Sequence, residues 1–557
     1  MIIKNIAKYK NNLLFIPLGG VNEIGMNVNL YHYKGQWIIV DCGTCFSNDI
    51  KGVKIIYPNL EFIQSYKNDV LALFITHAHE DHVGGAIYLW ERIKCPIYTT
   101  LFTSNFLRKK IENPKYSKEI KINVINSDSK FSLGNFEIET ASLTHSAPEM
   151  QSLMIKTEVG NIFHTGDWKF DQNPTIGPAS NKKLLRQFRK ENILALVCDS
   201  TNSHKEGKDK SEGELQNSLV KLVKEQENMI LITTFASNIG RVATLLICAK
   251  KNNRKIVLVG KSIHRIFSVA KESGYFKKEK LPEIISDKNM KKYKRSELMV
   301  ISTGCQGEEN AALRLITEQK HNVKLKKNDT VIFSSKIIPG NEKKISEIVN
   351  KLILQGIKVI NEKDEFVHVS GHPFEDDLKE MYNIIQPQVS IPVHGETFHI
   401  HKHANLAKRL NIKTVIQTQN GDIVKIASNN TQILGKVKSG YIGLDGKNYI
   451  DTSSDIFKIR KILSDSGAIF VNVILDLKNK KITKFPIISA PGILDLKKDK
   501  ELIQNMQNNI TKLIKDNFRS SNLSDNIKTY VKKLIKKERN KFPHISVILS
   551  NINLTCN

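Results

Sequence analysis

The sequence predicts a multidomain α/β protein, and three observations predict it. Short apolar runs of strand length recur along the chain and stop, one after another, at polar residues with ligand chemistry. From about residue 205 such runs alternate with amphipathic helical patterns, the texture of a parallel sheet with crossover helices. A chain of 557 residues is also too long for one hydrophobic core, so two to four domains are expected.

Composition narrows the class. Lys plus Arg number 84 against 56 Asp plus Glu, a formal net charge of +28. That excess favours a polyanionic partner, although lysine spread over every solvated face gives the same count. The seven cysteines are scattered, and Cys42-Gly43-Thr44-Cys45 is a CxxC without a second pair to complete a structural zinc site. Reduced, mostly buried thiols and a cytoplasmic location are therefore expected. No apolar run reaches the length of a membrane span. The strand Leu13 to Pro17 follows the basic stretch Met1 to Asn12 too closely to leave room for a signal peptide.

In chain order, Leu13 to Pro17 reads as a first strand, and Met26 to Tyr33 with Trp37 to Asp41 as a hairpin about Lys34-Gly35-Gln36. The glycine-rich stretch Leu18 to Asn27 reads as a loop whose backbone approaches something closely. Val70 to Ile75 is a buried strand, and behind it Val83, Ala86, Ile87, Trp90 and Ile93 repeat at helical spacing. The connection is Thr76-His77-Ala78-His79-Glu80-Asp81-His82. Strand, polar loop, helix is how α/β folds present a site at a sheet's carboxyl edge. His77 and His79 are two apart and can point the same way, with Asp81 and His82 offset from them. One short loop thus offers ligands for two neighbouring cations.

The pattern then repeats. Phe136 to Thr144 delivers His145, Asn161 to Thr165 leads to Asp167, and Ile193 to Cys198 ends in Asp199-Ser200-Thr201-Asn202. Repetition makes His145 and Asp167 further ligands, and His164 is read as a packing histidine. Ser200 has no histidine nearby in sequence to make it a nucleophile. Strands at Met229 to Thr234, Ile256 to Gly260, Leu298 to Thr303 and Thr330 to Ser335 end in small polar groups, which serve equally as phosphate seats and as ordinary helix caps. Val389 to Val393 ends in His394, counted with the ligands, while His399, His401 and His403 on the next helix are expected to be solvated. Beyond about residue 430 lies a tail domain. It has a strand pair around Lys478-Asn479-Lys480, helices marked by Ile503 to Leu513 and Ile527 to Leu534, and a closing strand from His544 to Ile552. The cluster Lys532, Lys533, Lys536, Lys537, Arg539 and Lys541 fits an RNA contact and a plain solvated face alike.

His-Ala-His-Glu-Asp-His at 77–82 has the HxHxDH form of the metallo-β-lactamase fold. Further segments add to it: Gly-Gly-Val-Asn-Glu-Ile-Gly-Met-Asn at 19–27, His-Thr-Gly-Asp-Trp-Lys-Phe-Asp at 164–171, Asp-Ser-Thr-Asn at 199–202, Thr-Gly-Cys-Gln-Gly-Glu at 303–308, Ile-Pro-Gly-Asn-Glu at 338–342, His-Val-Ser-Gly-His at 368–372 and Pro-Val-His-Gly-Glu at 392–396. On these the sequence resembles the ribonuclease J family, in the β-CASP group of metallo-β-lactamase nucleases, over nearly its whole length.

The resemblance implies an αββα sandwich made of residues 1–204 and a return segment 368–428. Between them it implies an inserted parallel α/β β-CASP domain at 205–367, and after them a linker at 429–465 and a C-terminal α/β domain at 466–557. It implies two divalent ions per chain, both Zn²⁺ by preference, with Mn²⁺ as the alternative. His77, His79 and His145 would hold one, Asp81, His82 and His394 the other, with Asp167 bridging. Asp199 and His372 match the group's extra acidic and histidine positions, and with Asp81 they are the catalytic candidates. His372, oriented through Asp199, would protonate a leaving 3′ oxygen. His368, Ser370, Gly371 and His372, with Ser334 and Ser335, would hold phosphate. The implied activity is a 5′→3′ exoribonuclease preferring 5′-monophosphate ends, with some endonucleolytic cutting, in messenger RNA decay and ribosomal RNA maturation. Its partners would be single-stranded RNA and further copies of itself, as a dimer or tetramer through the C-terminal domain. Two rivals stand beside this reading. A thioesterase or lactonase of the same fold leaves the inserted domain and the charge unexplained, and a non-catalytic RNA-binding scaffold leaves the full ligand set unexplained.

Overall fold

The computed structural model describes residues 3, 6–47, 50–111, 113–276, 281–518 and 520–551. It divides into two units, one of residues 1–45 and 57–440, the other of 46–56 and 441–557.

The first unit is built on three sheets. One runs in the order Gln432–Lys436, Asp422–Ile426, Leu13–Gly19, Val28–Tyr33, Gln36–Val40, Val70–Phe74, Ile97–Thr99, Ile122–Val124. The second runs Lys130–Leu133, Phe136–Ser142, Gln151–Thr157, Gly160–His164, Ile193–Asp199, Val389–Val393, Thr414–Val415. Alternation puts Phe15, Tyr31, Ile38 and Phe74 of the first sheet against Phe136, Ile155, Ile162 and Val197 of the second, all buried in one apolar layer. Each such side chain contributes about 1.5–3 kcal/mol by leaving water. The opposite faces carry helices, Ala86–Ile93 and Leu101–Lys110 on the first sheet, and Lys182–Arg189, Glu375–Ile385 and Thr397–Arg409 on the second. This is the αββα sandwich the resemblance implies.

The third sheet is wholly parallel, in the order Lys255–Val259, Leu298–Ser302, Ile230–Thr233, Thr330–Phe333, Lys358–Ile360. Its strands read as unbroken apolar runs because helices cover both faces. The helix Glu212–Lys224 opens it with a capping box, Ser211 and Glu214 satisfying each other's backbone amides. Arg241 fixes this domain's inner edge. Its guanidinium is fully buried, holds Glu212 through two hydrogen bonds, and donates to the carbonyls of Ser334, Val367 and Val369. The chain thereby leaves the insertion along a path fixed by charge-assisted hydrogen bonds.

In the second unit, Ala468–Asp476 pairs antiparallel with Lys481–Ile482 and Ile487–Ser489 and parallel with His544–Asn551. The helices Lys500–Asp516 and Leu523–Arg539 cover one face with Met506, Ile510, Ile527 and Val531. Ile552, expected in the closing strand, lies outside the described residues. The span 429–465, read from sequence as linker, is ordered structure. It holds the strand Gln432–Lys436, the hairpin Tyr441–Asp445 with Asn448–Asp451, and the helix Asp455–Ser466. Sequence patterning missed these elements because most of their side chains are exposed, so no apolar periodicity marks them.

Candidate metal centre

Every sheet-edge residue of the first unit that sequence patterning marked as a ligand arrives at one place. His77, His79 and His145 form one group of donors, and Asp81, His82, Asp167 and His394 form a second. Asp167, Asp199, His372 and His394 form a third, and within each group the donor atoms lie within 4.8 Å of one another. The short helix Glu80–Val83 follows His79 directly, so Asp81 and His82 occupy its first turn. Gly43 is required beside it, since a Cβ there would lie 1.7 Å from the Asp81 carbonyl oxygen. His394 takes a left-handed conformation, φ 52°, at the end of Val389–Val393. Strain of this kind, in a residue other than glycine, collects at functional sites. Its amide donates to the Gly20 carbonyl at 2.7 Å, which gives the glycine-rich first loop its close approach.

In the first group the Nε2 of His77 and the Nε2 of His145 each lie 3.0 Å from His79 Nδ1. The outer nitrogens are committed elsewhere. His145 Nδ1 donates to the Gly371 carbonyl at 2.7 Å, and His77 Nδ1 sits 3.0 Å from Thr76 Oγ1. Burial pushes His77 and His145 well below the usual histidine range, and His79 down to about 4. Neutral rings whose inner nitrogens face one another carry lone pairs with too few protons to share. A cation satisfies all three at once.

The second group is charged. Burial works against a proton on His82, yet Asp167, Asp41 and Asp81 together lift its pKa well above the usual value. His394, buried likewise, is raised to about 10 by Asp167, Asp199 and Asp81. Burial also opposes the charge on Asp81 and Asp167, and there the histidines prevail and hold both carboxyls well below the ordinary range. His82 Nε2 lies 3.1 Å from Asp167 and His394 Nε2 3.3 Å from Asp81. Carboxylate oxygens and imidazole nitrogens in this mixture suit Zn²⁺ or Mn²⁺.

Positioning residues complete the site. Asp41, which sequence patterning did not single out, is fully buried and accepts from His82 Nδ1 at 2.7 Å and from the Thr76 amide at 2.8 Å. Its position at the end of Gln36–Val40, beside the strand Val70–Phe74, was the signal that could have found it. Asp199 accepts from His372 Nδ1 at 2.8 Å, from Thr201 Oγ1 at 2.7 Å, and lies 3.3 Å from His394 Nδ1. That leaves His372 Nε2 free of Asp199.

The phosphate candidates separate. Ser370 Oγ accepts from Asn202 Nδ2 at 2.7 Å and from the His372 amide at 3.2 Å, so the HVSGH turn is tied to the loop after Asp199. Gly371 serves His145: a Cβ there would lie 2.9 Å from the ring. His368 is half-buried, its Nδ1 3.3 Å from the Arg241 guanidinium, which makes that nitrogen the acceptor. Ser334 does not face a ligand. It is buried, donates to the Val367 carbonyl at 2.7 Å and accepts from Arg241 at 2.8 Å, and Ser335 beside it is buried as well. Arg241 fills the sheet edge that the sequence suggested was open.

Two histidines outside the centre bear on what the sequence led one to expect. His164 is buried against Tyr31, whose hydroxyl lies 2.8 Å from its Nδ1. His403, expected in solvent, is instead fully buried between Ser200 Oγ and the Tyr382 hydroxyl, each at 2.9 Å. Ser200 therefore does have a histidine partner. The pair is sealed in the core with no carboxylate bonded to the ring, and substrate cannot reach it.

With this geometry in hand, comparison with known proteins gives a consistent result. The chain matches four family models. They are the metallo-beta-lactamase superfamily over 23–232, the ribonuclease J beta-CASP domain over 227–352, the Zn-dependent metallo-hydrolase RNA specificity domain over 356–417 and the ribonuclease J C-terminal domain over 456–552. It is 38% identical over 490 residues to ribonuclease J of Sinorhizobium meliloti, covering 87% of this chain and 86% of that one. It is 32% identical to ribonuclease J of Helicobacter pylori strain 26695 over 96% of this chain and 79% of the relative, and 30% identical to ribonuclease J2 of Bacillus subtilis over 93% of each. A solved structure of a protein of unknown function from Enterococcus faecalis shares the fold, with TM-score 0.53 and 18% identity over 76% of this chain and all of that one.

Proposed function

The chain belongs to the ribonuclease J family and is a metal-dependent RNA-hydrolysing enzyme, and from that premise we propose that it is a two-metal 5′→3′ exoribonuclease. It prefers 5′-monophosphate ends, makes some internal cuts, and acts on single-stranded RNA in the cytoplasm, in messenger RNA decay and ribosomal RNA maturation. One observation carries the reading. An all-imidazole donor group and a mixed carboxylate–imidazole group lie side by side, with Asp167 3.1 Å from His82 of one and 3.9 Å from His145 of the other.

His77, His79 and His145 would hold one divalent ion and Asp81, His82 and His394 a second, with Asp167 shared; Zn²⁺ or Mn²⁺ fits both sets. Such a pair supplies an acidified water and neutralises charge gathering on the phosphoryl oxygens. The chain's own residues do the rest. Asp199, held ionised well below the carboxylate range by His372 and His394 against the cost of burial, fixes the Nδ1 proton of His372. The Nε2 of His372 then faces the reacting phosphodiester and delivers a proton to the leaving 3′ oxygen as the P–O bond breaks. Ser370, bonded to the His372 amide, and His368, two residues before it, would hold a substrate phosphate. The second unit supports self-association through the exposed Phe470, Ile487 and Ile548 on its sheet.

Incubation of the purified chain and Mn²⁺ or Zn²⁺ with 5′-monophosphate and 5′-hydroxyl RNA tests this. Nucleoside 5′-monophosphates should appear first from the monophosphorylated RNA. Hydrolysis of thioesters or lactones without RNA cleavage, or RNA binding without turnover, would replace the proposal by one of its rivals.

A further inference from the structure

Beyond the metal centre, the helix Thr397–Arg409 begins three residues after His394 and displays an aromatic side chain where a soluble protein has reason to hide one. Phe398 is 53% exposed. Its ring lies 5.7 Å from that of His204, and His204 lies 4.9 Å from His399. The Lys402 ammonium sits 5.6 Å from the Phe398 centroid. His204 Nδ1 is buried and has no hydrogen-bond partner among the described residues.

Two more cations border these rings. Lys205 leaves the loop after Asp199, and Lys336 leaves the turn after Thr330–Phe333, where Gln306 Nε2 fixes its carbonyl at 2.8 Å. The two ammonium groups come within direct interaction distance of each other, and Lys205 lies 4.7 Å from the centroid of Phe374. Among the described residues none of Lys205, Lys336 and Lys402 has a carboxylate within 4.0 Å. Burial and the Lys336 charge bring Lys205 down to about 8, with Asp209 and Glu362 acting weakly the other way. Like charges brought together with no carboxylate in ion-pair contact among the described residues, beside the exposed Phe398 ring, are a combination that folding alone does not favour. A flexible polyanion with planar bases answers both halves of it.

We infer that Phe398, His204 and Lys402, together with Lys205 and Lys336, form a track for single-stranded RNA beside the metal centre. Bases stack on the rings and backbone phosphates sit between the ammonium groups. The inference rests on the RNA-hydrolysing reading above and adds to it the path of the strand.

Steady-state degradation of unstructured RNA by the full-length, metal-loaded protein tests the track. Phe398→Ala and Lys402→Ala should each raise KM, the first by about ten-fold, with the loss falling on KM rather than kcat. Phe398→Trp should restore it. Lys205→Ala and Lys336→Ala should flatten the dependence of log KM on log salt, by roughly 0.7 for each phosphate contact removed. Unchanged KM and salt dependence in variants that melt like the wild type would overturn the inference. A loss confined to 5′-monophosphorylated RNA would also overturn it, by making the lysines readers of the chain end. Binding of a cleavage-resistant phosphorothioate oligonucleotide separates the two proposals. A protein that binds through Phe398 and cuts nothing sinks the nuclease reading alone, and an active protein indifferent to these substitutions sinks the track alone.

Discussion

The two donor groups of the candidate metal centre lie side by side, and the pKa shifts of their histidines run in opposite directions. In the His77, His79 and His145 half, burial acts on imidazoles alone and drives their pKa values down. In the Asp81, His82, Asp167 and His394 half, equally deep burial is outweighed by carboxylates, and the histidines rise while the acids fall. The difference teaches that depth does not set the charge of a buried histidine; its neighbours do. One half is a set of lone pairs that wants a cation. The other pairs its own acids and imidazoles, and the same donors suit a cation.

Asp167 offers the hardest test of that contrast, because it belongs to both halves. Asp167→Ala should lower RNA cleavage by at least about 10³-fold and reduce bound metal in elemental analysis. Retention of a tenth of the activity would mean that the halves do not share it. The next effect lies at the edge of the mixed half. His372→Ala should cost about 10²–10⁴-fold in kcat. It should cost much less on a substrate whose leaving group needs no proton, such as a nitrophenyl phosphodiester, and an equal loss on both substrates would remove its role as the acid. Asp41→Asn acts directly on the mixed half, through His82, and reaches His77 only by way of Thr76 Oγ1. It should weaken metal binding about 10–100-fold by titration, and a larger effect on the imidazole half would contradict the division.

The smallest effect concerns a histidine outside the centre, where burial outweighs the one carboxylate acting on it, Asp69. His32 is buried beside Trp37, and burial, against the Asn12 carbonyl bonded to its Nδ1, lowers its pKa to about 4. Its neutral ring contributes stability that is complete above about pH 6.5 and is lost as the pH falls from there toward 4, because the unfolded chain takes up the proton first. Histidine NMR should show a ring titrating near 4 that is absent in His32→Gln. Titration near 6.5 would break the claim that burial keeps neutral a histidine whose neighbours do not hold it charged.

Much of this centre was legible in the sequence. Each candidate ligand follows an apolar strand, and strand ends on one side of an α/β sheet must meet, so His77, His79, Asp81, His82, His145, Asp167 and His394 could be named from the sequence. Side chains that hold other side chains were not legible. Asp41, Thr201 and Arg241 act through partners 35 to 193 positions away, and nothing local marks a residue for contacts that distant. The same blindness put His403 in solvent and left Ser334 open to a ligand.

What the sequence determined by itself was the parallel α/β texture and the residue types at the sheet edges, because strand periodicity and ligand chemistry are local properties; the sandwich and the insertion came from the family resemblance. The tertiary structure alone decided which of those residues carry charge, which are sealed away, and where Phe398 meets the unpaired lysines. Those depend on electrostatic neighbours and burial, which exist only once distant strands lie side by side.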